Sequence, residues 1–334
     1  MKHCFAFLVI TVLCLCSCQK GPQKMVCQGL TQGSYYAITY FDDSGRDFQQ
    51  AFDSIFDLVD GSVSLWNDTS IICRVNRNEP VTLNQVFIDN FNIAQEAARL
   101  SDGYFDPTIS PLVQAWGFSA KEGTEITPVF VDSLKSLVDY RKVHLEMVDS
   151  VGCVVMKDDP RITLDFNAIA QGYTSDMIGF YLESQGVTSY LVDTGGEIMA
   201  RGTKPHGKPW RVGIEKPADN WDSERSIQEL IEVVDKGVVT SGNYRKYVER
   251  DGKRYSHCID PKTGYPVNHN LLSATVITHN SVWADALASI CMSMGMERAE
   301  ELLSTLDDVE AFFIYVDDKG DLGIRHWESD NNLN

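Results

Sequence analysis

The sequence predicts an α+β fold in which mixed sheets pack against helices. Short runs rich in β-branched residues stand among longer stretches of helical apolar spacing, without the strict alternation of a doubly wound sheet. No GxGxxG follows a strand candidate, so a Rossmann dinucleotide site is unsupported. The 334 residues suffice for two domains or one large domain with insertions, and 43% hydrophobic against 23% charged residues are ordinary globular values. The 29 Lys and Arg against 47 Asp and Glu leave a net charge of −18. A field of that sign repels polyphosphate backbones and argues against nucleic acid as a partner.

Residues 1–17 differ from the rest. Residues 5–15 form an apolar run, shorter than the roughly 20 residues a membrane-spanning helix needs but suited to a signal-peptide core. It ends in Leu15-Cys16-Ser17-Cys18, which resembles a bacterial lipobox, with cleavage before Cys18 and a diacyl lipid on its thiol. The expectation is an exported protein, lipid-anchored to a bacterial membrane and facing the periplasm. Residues 18–28 are expected to be a polar linker, 29–328 the folded domain and 329–334 a polar tail.

Helical spacing marks 48–63, through Phe52, Ile55, Phe56 and Val59, and 85–100, through Phe87, Phe91, Ala94 and Ala97. Strand candidates follow at 153–156, 162–166, 190–192, 210–214, 237–240, 273–278 and 311–316. Further helices are expected over 168–185, 282–294 and 298–306. Beyond the leader, Cys27, Cys73, Cys153, Cys258 and Cys291 are odd in number, scattered and without a CxxC pair. Neither a disulfide framework nor a zinc site is indicated.

Several clusters bear chemistry. On a helix, Asp285 and Ser289 are four residues apart and project from one face, where two oxygens can serve a hard cation such as Mg²⁺. A helix-start Asp beside an unrelated Ser would look the same. The run Leu164-Asp165-Phe166-Asn167-Ala168 turns from an apolar segment into a helix whose N-terminus suits phosphate, although Asp165 can equally be a cap. Gly195-Gly196, between Asp193-Thr194 and Glu197, permits close backbone approach or a plain turn. His257 precedes Asp260-Pro261-Lys262-Thr263-Gly264, a turn signature, and an imidazole there can accept a hydroxyl proton. The stretch from Gly103 to Phe118 offers Tyr104, Phe105, Asp106, Pro107 and Trp116 as a wall for a planar ligand or as core.

The order and spacing of these segments resemble the ApbE family of FAD:protein FMN transferases. The resemblance runs from about Gly29 to Gly323. It rests on Gln32-Gly33-Ser34, Ser64-Leu65-Trp66, Phe105-Asp106-Pro107-Thr108, Leu164-Asp165 to Gly172-Tyr173, Gly195-Gly196-Glu197, Ser241-Gly242-Asn243-Tyr244, His257 to Pro266 and Ala284-Asp285-Ala286. It implies an ApbE-type, T-fold-like architecture and a Mg²⁺-dependent enzyme that takes FAD as substrate. An acceptor protein's Thr or Ser hydroxyl would attack the FMN-side phosphorus, AMP would leave, and FMN would remain as a phosphodiester. The implied metal ligands are Asp285, the Ser289 hydroxyl and the Ala168 carbonyl. The implied FAD contacts are Gln32, Trp66, Phe105, Asp106, Pro107, Asp165, Gln171 and Ile259, with His257 as candidate base. Gln171 stands where relatives often carry Lys or Glu, and Ser289 where many carry Thr. The acceptor is expected to be another exported or membrane protein, such as a redox-driven ion pump subunit. Hydrolysis of FAD to FMN and AMP, or flavin binding without catalysis, are the alternative readings.

Overall fold

Eight antiparallel strands in one sheet organise the molecule. The structure, a computed structural model, describes residues 21–118, 126–149, 152–216, 227–243, 247–250 and 253–329. The expected lipidation residue Cys18 lies outside them, as does Tyr244.

The chain opens with β1 (Gln23–Thr31) and β2 (Ser34–Asp42), a hairpin turned by Gln32 and Gly33. Both have positive φ, 49° and 73°, as a type I′ turn requires. Residues 23–28 are therefore strand, which corrects the expectation of a linker reaching residue 28. Only Cys27 is buried in this edge strand, so no alternation of buried apolar residues marks it as a strand. The helices α1 (Gln49–Val63), α2 (Ile71–Asn76), α3 (Gln85–Leu100), α4 (Ser110–Trp116) and α5 (Pro128–Lys135) follow, then the paired β3 (Val143–Val148) and β4 (Gly152–Lys157).

Residues 162–166 are not a strand, contrary to expectation. Ile162, Leu164 and Phe166 are buried, but among the described residues the backbone bonds to no neighbouring strand. The Asn76 side chain accepts from Leu164 N–H at 2.7 Å and donates to Leu164 C=O at 2.9 Å, and Asp165 N–H donates to Pro107 C=O at 2.8 Å. A side-chain amide thus takes the place of a neighbouring strand's peptide.

Next come α6 (Ala170–Ser184), β5 (Tyr190–Thr194), β6 (Glu197–Arg201), β7 (Trp210–Glu215), β8 (Ile227–Val233) and β9 (Lys236–Gly242). The short pair β10 (Tyr247–Arg250) and β11 (Lys253–Ser256) leads to β12 (Leu271–Thr278), α7 (Ser281–Met294), α8 (Met296–Leu303), β13 (Glu310–Val316) and β14 (Leu322–Glu328). The large sheet has the order β1-β2-β5-β6-β9-β12-β13-β14. Alternation along its central strands gives it two covered faces. Val239 and Val276 point into the helical core with α3 and α7, whereas Val238 and Ile277 point into a second core with Trp210, Val212 and Ile214 of β7. The fold extends one residue into the expected tail, because buried Ser329 donates its N–H to Val309 C=O at 3.1 Å.

Candidate active site

The site grows from the contact between α6 and α7. A Cβ on Gly172 would lie 2.6 Å from Ser281 O and 2.9 Å from Asp285 Cβ, so only glycine lets the helices meet here. Along the same contact the buried Asp176 carboxylate accepts Ser281 N–H and Val282 N–H, each at 2.9 Å, and Asn280 Oδ1 accepts Trp283 N–H at 3.0 Å. Three of the free N–H groups of the first turn of α7 are thereby satisfied, and its N-terminus is pinned to α6.

One turn farther along α7, Asp285 Oδ2 accepts Gly172 N–H at 3.2 Å. In an unbroken helix that N–H would serve the carbonyl four residues back, at Ala168. Helix α6 begins only at Ala170, and among the described residues nothing donates to the Ala168 carbonyl. Ser289 follows one turn beyond Asp285, with its Oγ 3.4 Å from Ser241 Oγ. Asp285, Ala168 and Ser289 all line a cavity of about 1120 Å³. A carboxylate, a free carbonyl and a hydroxyl form an all-oxygen donor set of the kind hard divalent cations take. Burial pushes the Asp285 carboxyl up to about 7, assisted by the nearby Asp176 charge and opposed by the Gly172 N–H. A buried carboxylate that is expensive to ionise alone is one that a cation would relieve.

The expected ligand contacts converge on this cavity. Gln32, Trp66, Phe105, Asp106, Asp165, Gln171, His257 and Ile259 line it, from segments spread over more than two hundred residues. Trp66 is 74% exposed, so its ring forms part of the rim rather than core. The Gln171 amide lies over Gly195, where a Cβ would approach its Nε2 to 2.6 Å. Asp165 accepts Asn167 N–H at 2.8 Å, and burial raises its carboxyl to about 6. His257 packs against the Phe118 ring at 6.3 Å between centroids. The Asp260 turn is locked by Gly264 N–H to Asp260 C=O at 2.8 Å, and Trp116 Nε1 donates to Gly264 C=O at 2.9 Å. That bond joins the aromatic stretch of α4 to the histidine segment.

Two expected contacts take another part. Pro107 does not line the cavity, and its carbonyl instead anchors Asp165. The Asp106 carboxylate reaches the wall but is occupied by Thr108 N–H at 2.8 Å, Thr108 Oγ1 at 2.6 Å and Tyr140 N–H at 2.9 Å. Those bonds make it the brace of its loop.

Sequence reasoning missed Asp176, Thr163 and Ser293. Buried polar atoms without a partner, Gln32 Oε1, Thr163 Oγ1 and Ser293 Oγ, belong to cavity-lining residues, as a site built for a polar ligand would have it. Ser293 was within reach of pattern reading, because Asp285, Ser289 and Ser293 repeat every four residues. Asp176 had no such signal. Away from the cavity, Glu310, His326 and Glu328 form the one three-residue His/acid cluster among the described residues. Its His326 is already stacked on Phe312 at 4.2 Å and bonded to Glu310 at 2.7 Å.

The ApbE family model matches residues 32–313. A FAD:protein FMN transferase of Vibrio cholerae is 36% identical over 296 residues, covering 86% of each chain. The chain belongs to the ApbE family. A further relative, the FAD:protein FMN transferase of Salmonella typhimurium, is 31% identical over 345 residues, covering 98% of this chain and 96% of its own. Among solved structures, the flavin transferase ApbE from Vibrio cholerae aligns with a TM-score of 0.79 at 30% identity, covering 93% of this chain and 98% of the other. The Pseudomonas stutzeri flavinyl transferase ApbE aligns at 0.80, also 30% identical, over 94% and 97%. The eight-stranded sheet with its helical layer is thus the ApbE fold.

Proposed function

We propose that this protein is a Mg²⁺-dependent FAD:protein FMN transferase, exported and tethered by lipid at Cys18 to a bacterial membrane, acting on an exported or membrane acceptor. The observation that carries the reading is the capture of the Gly172 N–H, in the first turn of α6, by Asp285, with the Ala168 carbonyl and the Ser289 hydroxyl lining the same cavity. The Asp285 carboxylate, that carbonyl and that hydroxyl would hold the cation, which when bound neutralises pyrophosphate charge and eases the departure of AMP.

The remaining work falls to the protein's own residues. Gln32, Thr163 and Ser293 supply polar partners to the nucleotide, while Trp66 and Phe105 offer aromatic surface to the flavin. His257 takes the proton from the acceptor's Thr or Ser hydroxyl as its oxygen bonds to the FMN-side phosphorus. The phosphorus–oxygen bond to AMP breaks, and AMP carries away the pyrophosphate's second phosphate. Positioning and charge stabilisation dominate phosphoryl transfer, so the metal-side oxygens contribute more than the base.

The test is a pair of incubations with FAD and Mg²⁺, with and without an acceptor domain carrying a flavinylation-motif Thr. AMP release that requires the acceptor, with flavin fluorescence on the acceptor band, is expected. Equal AMP release without it would mean hydrolysis, and none in either tube would mean binding alone.

A further inference from the structure

We infer that the end of the large sheet next to Pro22 rests on an anionic membrane surface, with the metal-side end of the cavity held about 25–30 Å away from it. The acceptor hydroxyl is then one carried on a domain that stands clear of the bilayer. The inference rests on the lipid-anchored transferase reading and adds how the enzyme stands on its membrane.

Pro22 immediately precedes β1, and Cys18 is only four residues before it. An extended chain covers at most about 3.6 Å per residue, so a lipid on Cys18 keeps Pro22 within about 14 Å of the headgroups. Pro22 shares a concavity of about 220 Å³ with Phe41, Asp42, Ser189 and Thr203. Strand β2 ends there, β5 begins there, and β6 ends just before it.

The opposite ends of the same strands build the active site. Gln32 and Gly33 turn β1 into β2, Gly195 and Gly196 turn β5 into β6, and all four line the large cavity. Ser241, next to last in β9, meets the Ser289 hydroxyl at this level. The nine residues of β1, at about 3.3 Å each, set the two ends about 25–30 Å apart.

Charge favours the same orientation. With a net charge of −18, most of the protein's surface is repelled by an anionic leaflet. The Pro22 end is locally different. Exposed Lys24 lies opposite Phe41 across the β1–β2 pair, Phe41 packs on Trp210 at 6.0 Å, and Lys204 Nζ sits 5.6 Å over the Trp210 ring. Exposed Lys208 joins Lys204 through a backbone bond of 2.8 Å. Of the acids there, Asp42 is paired with Arg46, and Asp235 accepts Gly202 N–H at 2.8 Å, which leaves Asp43 beside them. Lysines within a Debye length of anionic headgroups, about 8 Å at physiological salt, are attracted to them. The lipid brings this end to the bilayer, and the lysines keep it there.

The experiment places full-length, FAD-loaded enzyme in phosphatidylcholine vesicles with and without phosphatidylglycerol. Amide exchange over residues 203–208 should slow about ten-fold or more on the anionic vesicles, relative to lipid-free enzyme. Lys24→Glu with Lys208→Glu should remove that slowing and leave transfer to an acceptor domain free in solution unchanged. Protection only at another face, or equal protection on both kinds of vesicle, overturns the proposal. As a second measurement, the acceptor domain is anchored in the same anionic vesicles through spacers of increasing length. Transfer by the lipidated enzyme should rise about ten-fold or more once the spacer reaches about 25–30 Å, a step absent with lipid-free enzyme. Equal transfer at every length overturns it as well. The three claims separate cleanly. An N-terminal peptide without lipid, read by mass, removes the anchor and this orientation together. No transfer to the free acceptor removes the transferase reading, whereas an active, lipidated enzyme protected elsewhere removes the orientation alone.

Discussion

Asp176 and Asp285 lie at two points of the same helix contact, equally buried, and only one of them has chemistry left to offer. Asp176 accepts two N–H groups from the first turn of α7, so its carboxylate is consumed in holding that helix. Asp285 accepts one N–H, from Gly172, and faces the cavity with the rest of its carboxylate. Burial pushes both carboxyls well above the ordinary carboxylate range, so the direction of the shift does not separate them. The number of protein donors does. The same rule separates Asp106, with three donors, from Asp165, with one. A buried carboxylate whose oxygens are all spoken for is architecture, and one with an oxygen to spare is a site.

The comparison breaks most readily at Asp285. Asp285→Asn should lower Mg²⁺-dependent FMN transfer roughly a thousand-fold while the unfolding midpoint stays close to that of the parent. Near-normal turnover would remove this residue from the metal site. Asp176→Ala should do the reverse first, lowering stability by about 2 kcal/mol in urea titration through loss of its helix-terminal bonds. A variant of unchanged stability would show that Asp176 does not clamp α7.

Gly172→Ala tests whether the close approach itself matters. The added Cβ must displace Ser281 or Asp285, which should cost about 1–3 kcal/mol and raise the Mg²⁺ concentration needed for half-maximal transfer. An unaltered Mg²⁺ dependence would sever that link between helix packing and metal binding.

The smallest effect is in pH. A carboxyl raised from its ordinary value to about 7 keeps its proton in the folded state after the unfolded chain has lost it. Its contribution is present below about pH 4 and is lost as pH rises towards 7, so metal-free protein should lose stability over that window. The fall should be shallower in Asp285→Asn. Equal unfolding free energies from urea titrations at pH 4.5 and 7 would contradict the burial of an ionisable Asp285. Mg²⁺ should reduce the loss, because it binds the ionised form.

Much of this was legible in the chain. Phe52, Phe56 and Val59 marked α1, Phe87, Phe91 and Ala94 marked α3, and the spacing of Asp285 and Ser289 placed both on one face of α7. Residues 162–166 misled because burial and β-branching look alike whether the partner is a strand or the Asn76 amide. β1 was hidden because an edge strand shows the core so few of its side chains. Asp106 and Pro107 sit in a motif that looks like a ligand contact, yet the donors that occupy Asp106 include an N–H from Tyr140, thirty-four residues away.

Local order along the polymer settled which segments would be helix or extended, which glycines could turn, and which oxygen-bearing side chains would share a face. Those properties depend on neighbours a few residues apart, and sequence records them directly. What only folding decided was which carboxylate stayed open and which carbonyl faced the cavity without a donor. Each depends on how many hydrogen-bond donors arrive from distant parts of the chain, a count that exists only once the helices and sheet have packed.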